Sequence, residues 1–421
     1  MQYAFFLDAA ACSGCKACQV ACQDKHALPP GVWWRRVYEV SGGGWRAQGG
    51  AWRQDAFAFN LSLACHHCER PICVEVCPAR ALQRRPDGIV LLDRNRCLGC
   101  HYCEWACPYG APQYDPSAGV MTKCTACADE IEIGKPPACV AACGLRALDF
   151  GTPGELVARY GSAADVVPNE PLAPASFPLP DPALTRPGLL LRAHRHAARA
   201  HSGAARVANL EEVKARPARA RREISLVAFT LLVQLAVGLF WAWLALNSAA
   251  PPAAGSGVLL LAAGPLLLAG AASSLLHLGS PSQAWRALAN LRTSWLSREI
   301  LLIIAFGAGW TLVLALQRYG EGLAGARAAL AAAVGLLGFA LVYAMARVYR
   351  LRTVPPWNTV RTFHSFLLTA IILGALAAAL LRAAAGGTGG TAVLPALLFV
   401  AAVAAAVVFR LRFYAGARAG L

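Results

Sequence analysis

Sixteen cysteines lie between residues 12 and 143 of this 421-residue chain, and none follows them. They fall into four groups of four: Cys12, Cys15, Cys18 and Cys22; Cys65, Cys68, Cys73 and Cys77; Cys97, Cys100, Cys103 and Cys107; and Cys124, Cys127, Cys139 and Cys143. A disulfide scaffold would be a short secreted chain, yet the opening Met1-Gln2-Tyr3-Ala4-Phe5-Phe6-Leu7-Asp8 has neither a basic n-region nor a long apolar h-region. Metal or redox chemistry is the better expectation. In the C-x2-C-x2-C-x3-C spacing of the first and third groups, three close thiolates grip one cubane and the fourth ligates the other cluster of a pair. Two groups then build two clusters jointly, which predicts four [4Fe-4S] clusters. Pro78 and Pro108 follow the last cysteine of groups two and three and fix the chain direction there. Structural zinc also uses four thiolates, but it pairs two knuckles across a longer gap and does not pack four cysteines into eleven residues. His66, His67 and His101 lie between ligands and are expected to tune the sites or sit at the surface.

Beyond the cysteines the composition changes. Seven prolines between Val166 and Pro187 predict an extended spacer, and Gly188 to Glu223, rich in Arg, Ala and His, predicts a basic helix lying on headgroups or a partner. His194, His196 and His201 there are expected at the surface. Six apolar runs follow, near 224–246, 257–277, 299–316, 327–346, 363–381 and 391–409, each close to the roughly 20 residues needed to cross a bilayer. The net charge of +16 comes mostly from arginines beside these runs, which points to membrane topology and away from nucleic acid. Fifteen flanking Lys and Arg residues, Lys214, Arg298, Arg347 and Arg410 among them, lie on one side and three on the other. This predicts an inner (cytoplasmic) membrane protein, multi-pass, with both termini and the cysteine domain cytoplasmic. The expected fold is an α+β ferredoxin-like domain with four [4Fe-4S] clusters over residues 1–151, a linker over 152–222, and an all-α bundle of about six transmembrane helices over 223–421.

The cysteine groups, with Arg36-Val37-Tyr38-Glu39 and the run Ala106-Cys107-Pro108-Tyr109-Gly110-Ala111-Pro112-Gln113-Tyr114, resemble the iron-sulfur subunit of the dimethyl sulfoxide reductase family. That resemblance implies shared ligation. Cys12, Cys15, Cys18 and Cys143 would hold one cluster, and Cys124, Cys127, Cys139 and Cys22 a second. Cys65, Cys68, Cys73 and Cys107 would hold a third, and Cys97, Cys100, Cys103 and Cys77 a fourth. Gly144 departs from the proline common at that place in the family. The later chain is similar to the family's membrane anchor, through His277-Leu278-Gly279-Ser280-Pro281, Leu296-Ser297-Arg298-Glu299-Ile300, Arg347-Val348-Tyr349 and Val354-Pro355-Pro356-Trp357. The two subunits, usually separate, are then fused here, and the resemblance implies a menaquinol site at His277 and Glu299.

The residues support such a site independently. His277 ends the second span and Glu299 begins the third, so one short loop returns both to the same face. Histidine with carboxylate is a pair suited to taking protons from a quinol, and an ionisable group at a span is a functional candidate by default. Arg347 is a third candidate for binding the quinone, although snorkelling alone accounts for an arginine at a span end. His364 is expected to be a packing residue, and Trp295, Trp310 and Trp357 to form an aromatic belt. The expected function is electron transfer between menaquinol and a separate molybdopterin-containing catalytic subunit, with the terminal substrate site on that partner. No phosphate-cradling Gly-rich loop and no nucleophile with a base partner is present. Alternatives are the same wire run in reverse for an enzyme oxidising sulfite or another sulfur compound, a zinc-organised interaction module, and a proton-moving protein.

Overall fold

The computed structural model describes residues 1–161, 167–168, 179–197, 206–208, 218–248, 256–320, 322–385 and 393–419. His201, Lys214 and Arg216 lie outside the described residues. The chain forms two units, Met1–Arg216 and Pro217–Leu421.

The first unit is mixed α and β, as expected. Its central strand, β1 (Ala4–Asp8), is buried through Phe5, Phe6 and Leu7, so neither face of it meets water. Short helices carry or follow the cysteines. Between β2 (Arg36–Gly42) and α1 (Ala17–Lys25), which carries Cys18 and Cys22, lies the Trp-Trp-Arg turn, and β2 pairs antiparallel with β5 (Phe57–Leu63) beyond the hairpin β3 (Trp45–Gln48) and β4 (Ala51–Gln54). Next come α2 (Ile72–Val76), the hairpin β6 (Leu82–Arg84) and β7 (Val90–Leu92), and α3 (Tyr102–Ala106). In α2 and α3 the helix stops one residue before the cysteine that precedes proline. The proline ring drives that residue out of helical space, leaving Cys77 at φ −66°, ψ 112° and Cys107 at φ −81°, ψ 115°. Cys22 is followed by Gln23, and α1 runs on through it to Lys25. The hairpin β8 (Gln113–Asp115) and β9 (Val120–Thr122) leads to α4 (Ala128–Ile131) and α5 (Ala138–Ala141). Helix α1 packs on α5, and α2 on α3, so the first cysteine group meets the fourth and the second meets the third.

β10 (Leu148–Gly151) pairs antiparallel with β1. A capping box at Thr152 and Glu155, with Pro153 in the first turn, then starts α6 (Pro153–Tyr160). Leu156 of α6 packs on Phe6, and Tyr160 stacks on the Phe6 ring at 3.9 Å between centroids.

The linker reading of residues 152–222 needs correction. Leu189–Arg192, placed by sequence in a basic helix, forms β12, which pairs parallel with β1 and antiparallel with β11 (Val167–Pro168). Leu190 and Leu191 are buried in the core, and Arg192 forms an ion pair with Asp8 at 2.9 Å. β13 (Arg206–Ala208) adds to β2. The apolar Leu189-Leu190-Leu191 run outweighs the surrounding arginines, because without this neighbour one edge of β1 would be left unpaired.

Among its described residues the second unit contains six helices long and apolar enough to cross a membrane: α7 (Ala218–Ser248), α8 (Gly257–Leu275), α9 (Trp295–Tyr319), α10 (Ala324–Tyr349), α11 (Val360–Ala385) and α12 (Val393–Ala419). Each expected apolar run falls on one of them. α7 is the most buried, packing against α8, α10, α11 and α12. Its Gly238 meets Gly374 of α11, and a Cβ on either would fall inside the other helix's backbone. Between helices in lipid, close approach through small residues gives packing that the hydrophobic effect does not supply. Trp310 and Trp357 both donate hydrogen bonds to neighbouring elements. Trp357 is buried, stacks on Phe413 and donates to its carbonyl at 2.9 Å, while Trp310 donates to the Leu260 carbonyl at 2.8 Å. Indole N–H groups here tie helices together.

Gly238→Val forces α7 and α11 apart. It is expected to cost about 1–3 kcal/mol by overpacking and to lower the thermal midpoint of the detergent-solubilised protein, followed by helix circular dichroism.

Candidate metal centres and a buried membrane cluster

None of the sixteen cysteines is in a disulfide, and most are buried. One cavity is lined by Cys12, Cys15, Cys18 and Cys143 together with Gly14 and Ser62. A second is lined by Cys65, Cys68, Cys73 and Cys107 together with His66, Lys123 and Thr185. The other eight thiols form two further neighbourhoods. Cys100 and Cys103 both feel Cys77 and Cys97, and Cys22 feels Cys139 and Cys127 while Cys124 feels Cys22 and Cys139.

Local backbone explains why the first cysteine in three of the groups faces inward. Gly14 and Gly99, two residues after Cys12 and Cys97, and Ala126, two after Cys124, take positive φ. This turns their N–H groups onto the preceding sulfur, at 3.4 Å for Gly99 to Cys97 and 3.3 Å for Ala126 to Cys124. Gly14 donates likewise to Cys12. A Cβ on Gly14 would lie 2.6 Å from the Asn60 side chain, so this turn requires glycine. Such concave arrays of N–H groups bind anions.

The thiols sit badly without a cation. Burial, with neighbouring cysteine charge adding to it, pushes Cys22 and Cys100 up to about 12. Burial pushes Cys107 up to about 11 and Cys73, Cys103 and Cys124 well above their ordinary value. Thiolates form there only when a metal takes the charge. Among the described residues no three His, Cys, Asp or Glu side chains stand close enough to hold a single metal ion. A tetrahedral zinc site with bonds of about 2.3 Å needs sulfurs gathered more tightly than that, whereas a cubane binds each thiolate at a separate corner. The donor set fits an iron-sulfur cage.

Other buried polar groups line these cavities. His66 is held neutral, down to about 3, by burial and by Arg35, and neither ring nitrogen has a partner among the described residues. His67 accepts from the Val90 N–H at 3.0 Å. Neither is a surface residue, which corrects one of the two sequence expectations for them. His194 is partly buried and stacks on Phe59. Lys123 donates to the carbonyls of Val90 and Cys124 and lies near Cys73 and Cys107. Thr185, fully buried, reaches Tyr109 at 3.2 Å and hydrogen-bonds Cys68.

In the membrane unit, Glu299 lies one turn inside α9 and is buried. His277 follows α8 directly and is partly buried. Arg347 stacks on Trp295, the first residue of α9, at 4.7 Å, and its Nε has no partner among the described residues. Arg298 packs against Trp295 at 4.4 Å and donates to the Leu291 and Arg292 carbonyls, so this arginine pins the loop entering α9. Glu299 lies within electrostatic range of Tyr349 and Tyr414, whose hydroxyls are 2.7 Å apart. Beside them Arg410, 1 % exposed, sits 3.5 Å over the Phe366 ring and donates to Gln234 at 3.3 Å. Arg410 is therefore an interior cation and leaves the tally of flanking charges, which stays one-sided without it.

Comparison with known proteins decides the family. The 4Fe-4S dicluster domain matches residues 56–153, and the dimethyl sulfoxide reductase anchor subunit matches residues 219–415. One polypeptide of the anaerobic dimethyl sulfoxide reductase of Escherichia coli is 44 % identical over 212 residues, which is 50 % of this chain and 98 % of that protein. This protein belongs to the dimethyl sulfoxide reductase family. It fuses the iron-sulfur and membrane-anchor subunits of that family into one multi-pass membrane polypeptide. The corresponding polypeptide of the Haemophilus influenzae anaerobic dimethyl sulfoxide reductase is 43 % identical over 197 residues, covering 47 % of this chain and 91 % of that protein. A sulfite dehydrogenase subunit of Allochromatium vinosum is 36 % identical over 172 residues, covering 36 % and 68 %.

As a member of the dimethyl sulfoxide reductase family the chain carries iron-sulfur clusters and transfers electrons within an oxidoreductase complex. Arg35, Lys123, Thr185, Tyr414 and Arg410 escaped the sequence reading. Arg410, directly after the sixth apolar run, counts by sequence with the flanking charges, and only the fold shows that it faces the bundle interior. Thr185 carried no signal, because its partner Tyr109 is more than 70 residues away.

Stripping iron from the purified protein by anaerobic chelation and oxidation is expected to abolish protease resistance in Met1–Arg216 while the helices of Pro217–Leu421 keep their circular dichroism. Retained resistance of the stripped first unit would mean that the thiol cavities stand without metal.

Proposed function

We propose that this chain passes electrons from menaquinol in the inner membrane to a separate molybdopterin-containing catalytic subunit that reduces a sulfoxide-type substrate, through four [4Fe-4S] clusters on the cytoplasmic side. The observation that carries the proposal is the lining of the two cavities. Each is walled by three cysteines of one group and the last cysteine of another, which is the sharing expected of paired cubanes. The proposed ligand sets are Cys12, Cys15, Cys18 and Cys143; Cys22, Cys124, Cys127 and Cys139; Cys65, Cys68, Cys73 and Cys107; and Cys77, Cys97, Cys100 and Cys103. When bound, such clusters supply one-electron redox steps.

The thiols arrange these sets in a row. Cys18 of the first neighbours Cys139 of the second, Cys124 of the second neighbours Cys65 of the third, and Cys103 of the fourth neighbours Cys73 of the third. In the second unit, Glu299 and His277 are proposed to accept the two protons of the quinol, with Arg347 helping to hold the headgroup. The Tyr349–Tyr414 hydroxyl pair stands next to Glu299 as a route for the proton it receives. The one-sided arginine distribution supports the cytoplasmic placement. The reductive direction is favoured because the dimethyl sulfoxide reductase polypeptides match more of this chain, at higher identity, than the sulfite dehydrogenase subunit does.

The test is anaerobic stopped-flow reduction of the clusters in the full-length protein by a menaquinol analogue. Glu299→Gln and His277→Ala are each expected to slow it at least a hundredfold, the scale of a lost proton acceptor. Reduction by dithionite should be unchanged. Quinol reduction at the wild-type rate in both variants would remove these residues from the site.

A further inference from the structure

Arg35 is the charged residue most completely enclosed in the first unit, 2 % exposed, and its surroundings do not include the partner such a group ordinarily needs. Its Nη1 donates to the carbonyl and the hydroxyl of Ser62 at 3.1 and 3.2 Å, and its guanidinium carbon lies 4.7 Å over the Phe5 ring. Nε and Nη2 have no hydrogen-bond partner among the described residues. Arginine keeps its proton at any ordinary pH, so the charge cannot be relieved by deprotonation. The groups that answer it are thiols: Cys139, Cys18, Cys124 and Cys22. These belong to the first and second proposed ligand sets.

Two further contacts make Arg35 a bridge between those sets. The Ser62 hydroxyl that accepts from Arg35 lies 3.2 Å from the Cys18 sulfur, on the first set. The Arg35 backbone N–H donates to the sulfur of Cys22, on the second. One residue thus touches both neighbouring sites, through its side chain and its main chain. A cubane with four thiolates is anionic and gains one more negative charge on reduction, so a fixed cation beside it favours the reduced form. Hydrogen bonds to the sulfurs act in the same direction.

We infer that Arg35 is the positioning residue that raises the reduction potentials of the two clusters held by the first and fourth cysteine groups, keeping both within reach of electrons arriving from quinol. This rests on the ligand sets proposed above. The unpartnered Nε and Nη2 donors leave the charge of Arg35 to be answered by the surrounding cysteine sulfurs. Lys123 stands in a related place beside the second and third sets, but its side chain is committed to backbone carbonyls.

The experiment is a redox titration of the full-length protein, followed by low-temperature EPR, with iron content measured on the same samples. Wild type is compared with Arg35→Met, Arg35→Gln, Arg35→Lys and Ser62→Ala. In the two neutral variants, two of the four clusters should become harder to reduce by at least tenfold in the reduction equilibrium, about 59 mV for one electron. The other two should not move. Arg35→Lys should stay within about threefold of wild type, because it retains the charge. Unmoved potentials in Arg35→Gln overturn the inference, and so does an Arg35→Lys variant that falls as far as Arg35→Gln. Ser62→Ala lowering both potentials as far as Arg35→Gln would overturn it too, by assigning the effect to the hydroxyl. Iron content separates the two layers of the argument: wild-type protein lacking cubane signals would sink the ligand sets, whereas a full iron complement with unmoved potentials would sink Arg35 alone.

Discussion

The burial of most of its sixteen thiols is the constraint on which the first unit depends. A small α+β domain cannot leave that many soft, ionisable groups in its interior without something to bind them, since each buried thiolate is strongly disfavoured unless its charge is matched. The secondary structure is arranged to serve the thiols. Helices of four or five residues are too short to stand alone, and the positive-φ turns between cysteines are strained for any residue but glycine. The ordinary core lies around the β1-centred sheet, with Phe6, Leu156 and Leu190 in one cluster and Phe5, Leu7, Val40, Phe59 and Leu61 in a larger one. On this view iron is a structural component as much as a redox one.

The membrane unit solves a different problem. Its helices gain little from hydrophobicity in lipid, so close contact at Gly238 and Gly374 and indole-to-carbonyl bonds supply the packing. Against that apolar background the group of Glu299, Tyr349, Tyr414, Arg410 and Gln234 stands out. Five polar side chains from α7, α9, α10 and α12 converge in the interior, where each is costly unless it has partners or work to do.

Much of this was legible in the residues. Cysteine spacing is a local signal, because three thiolates of each ferredoxin-type run reach one cubane from a single loop, and run length sets the number of spans. By sequence, proline after Cys77 and Cys107 fixes the chain direction, and α2 and α3 stop just before those cysteines. What stayed hidden was nonlocal. Leu189–Arg192 pairs with a strand more than 180 residues earlier, and its arginine-rich flanks disguised it as a surface helix. Arg35 looked like one basic residue among several, and only folding brings Cys18, Cys22, Cys124 and Cys139 around it. Likewise Tyr349 and Tyr414 meet across helices that sequence could count but not orient.

The most direct test of the central claim is the iron and acid-labile sulfide content of the full-length protein, purified anaerobically in detergent. Four cubanes predict about sixteen of each per chain, with zinc at trace level. A value near eight, or zinc in place of iron, would contradict the account of a continuous four-cluster wire.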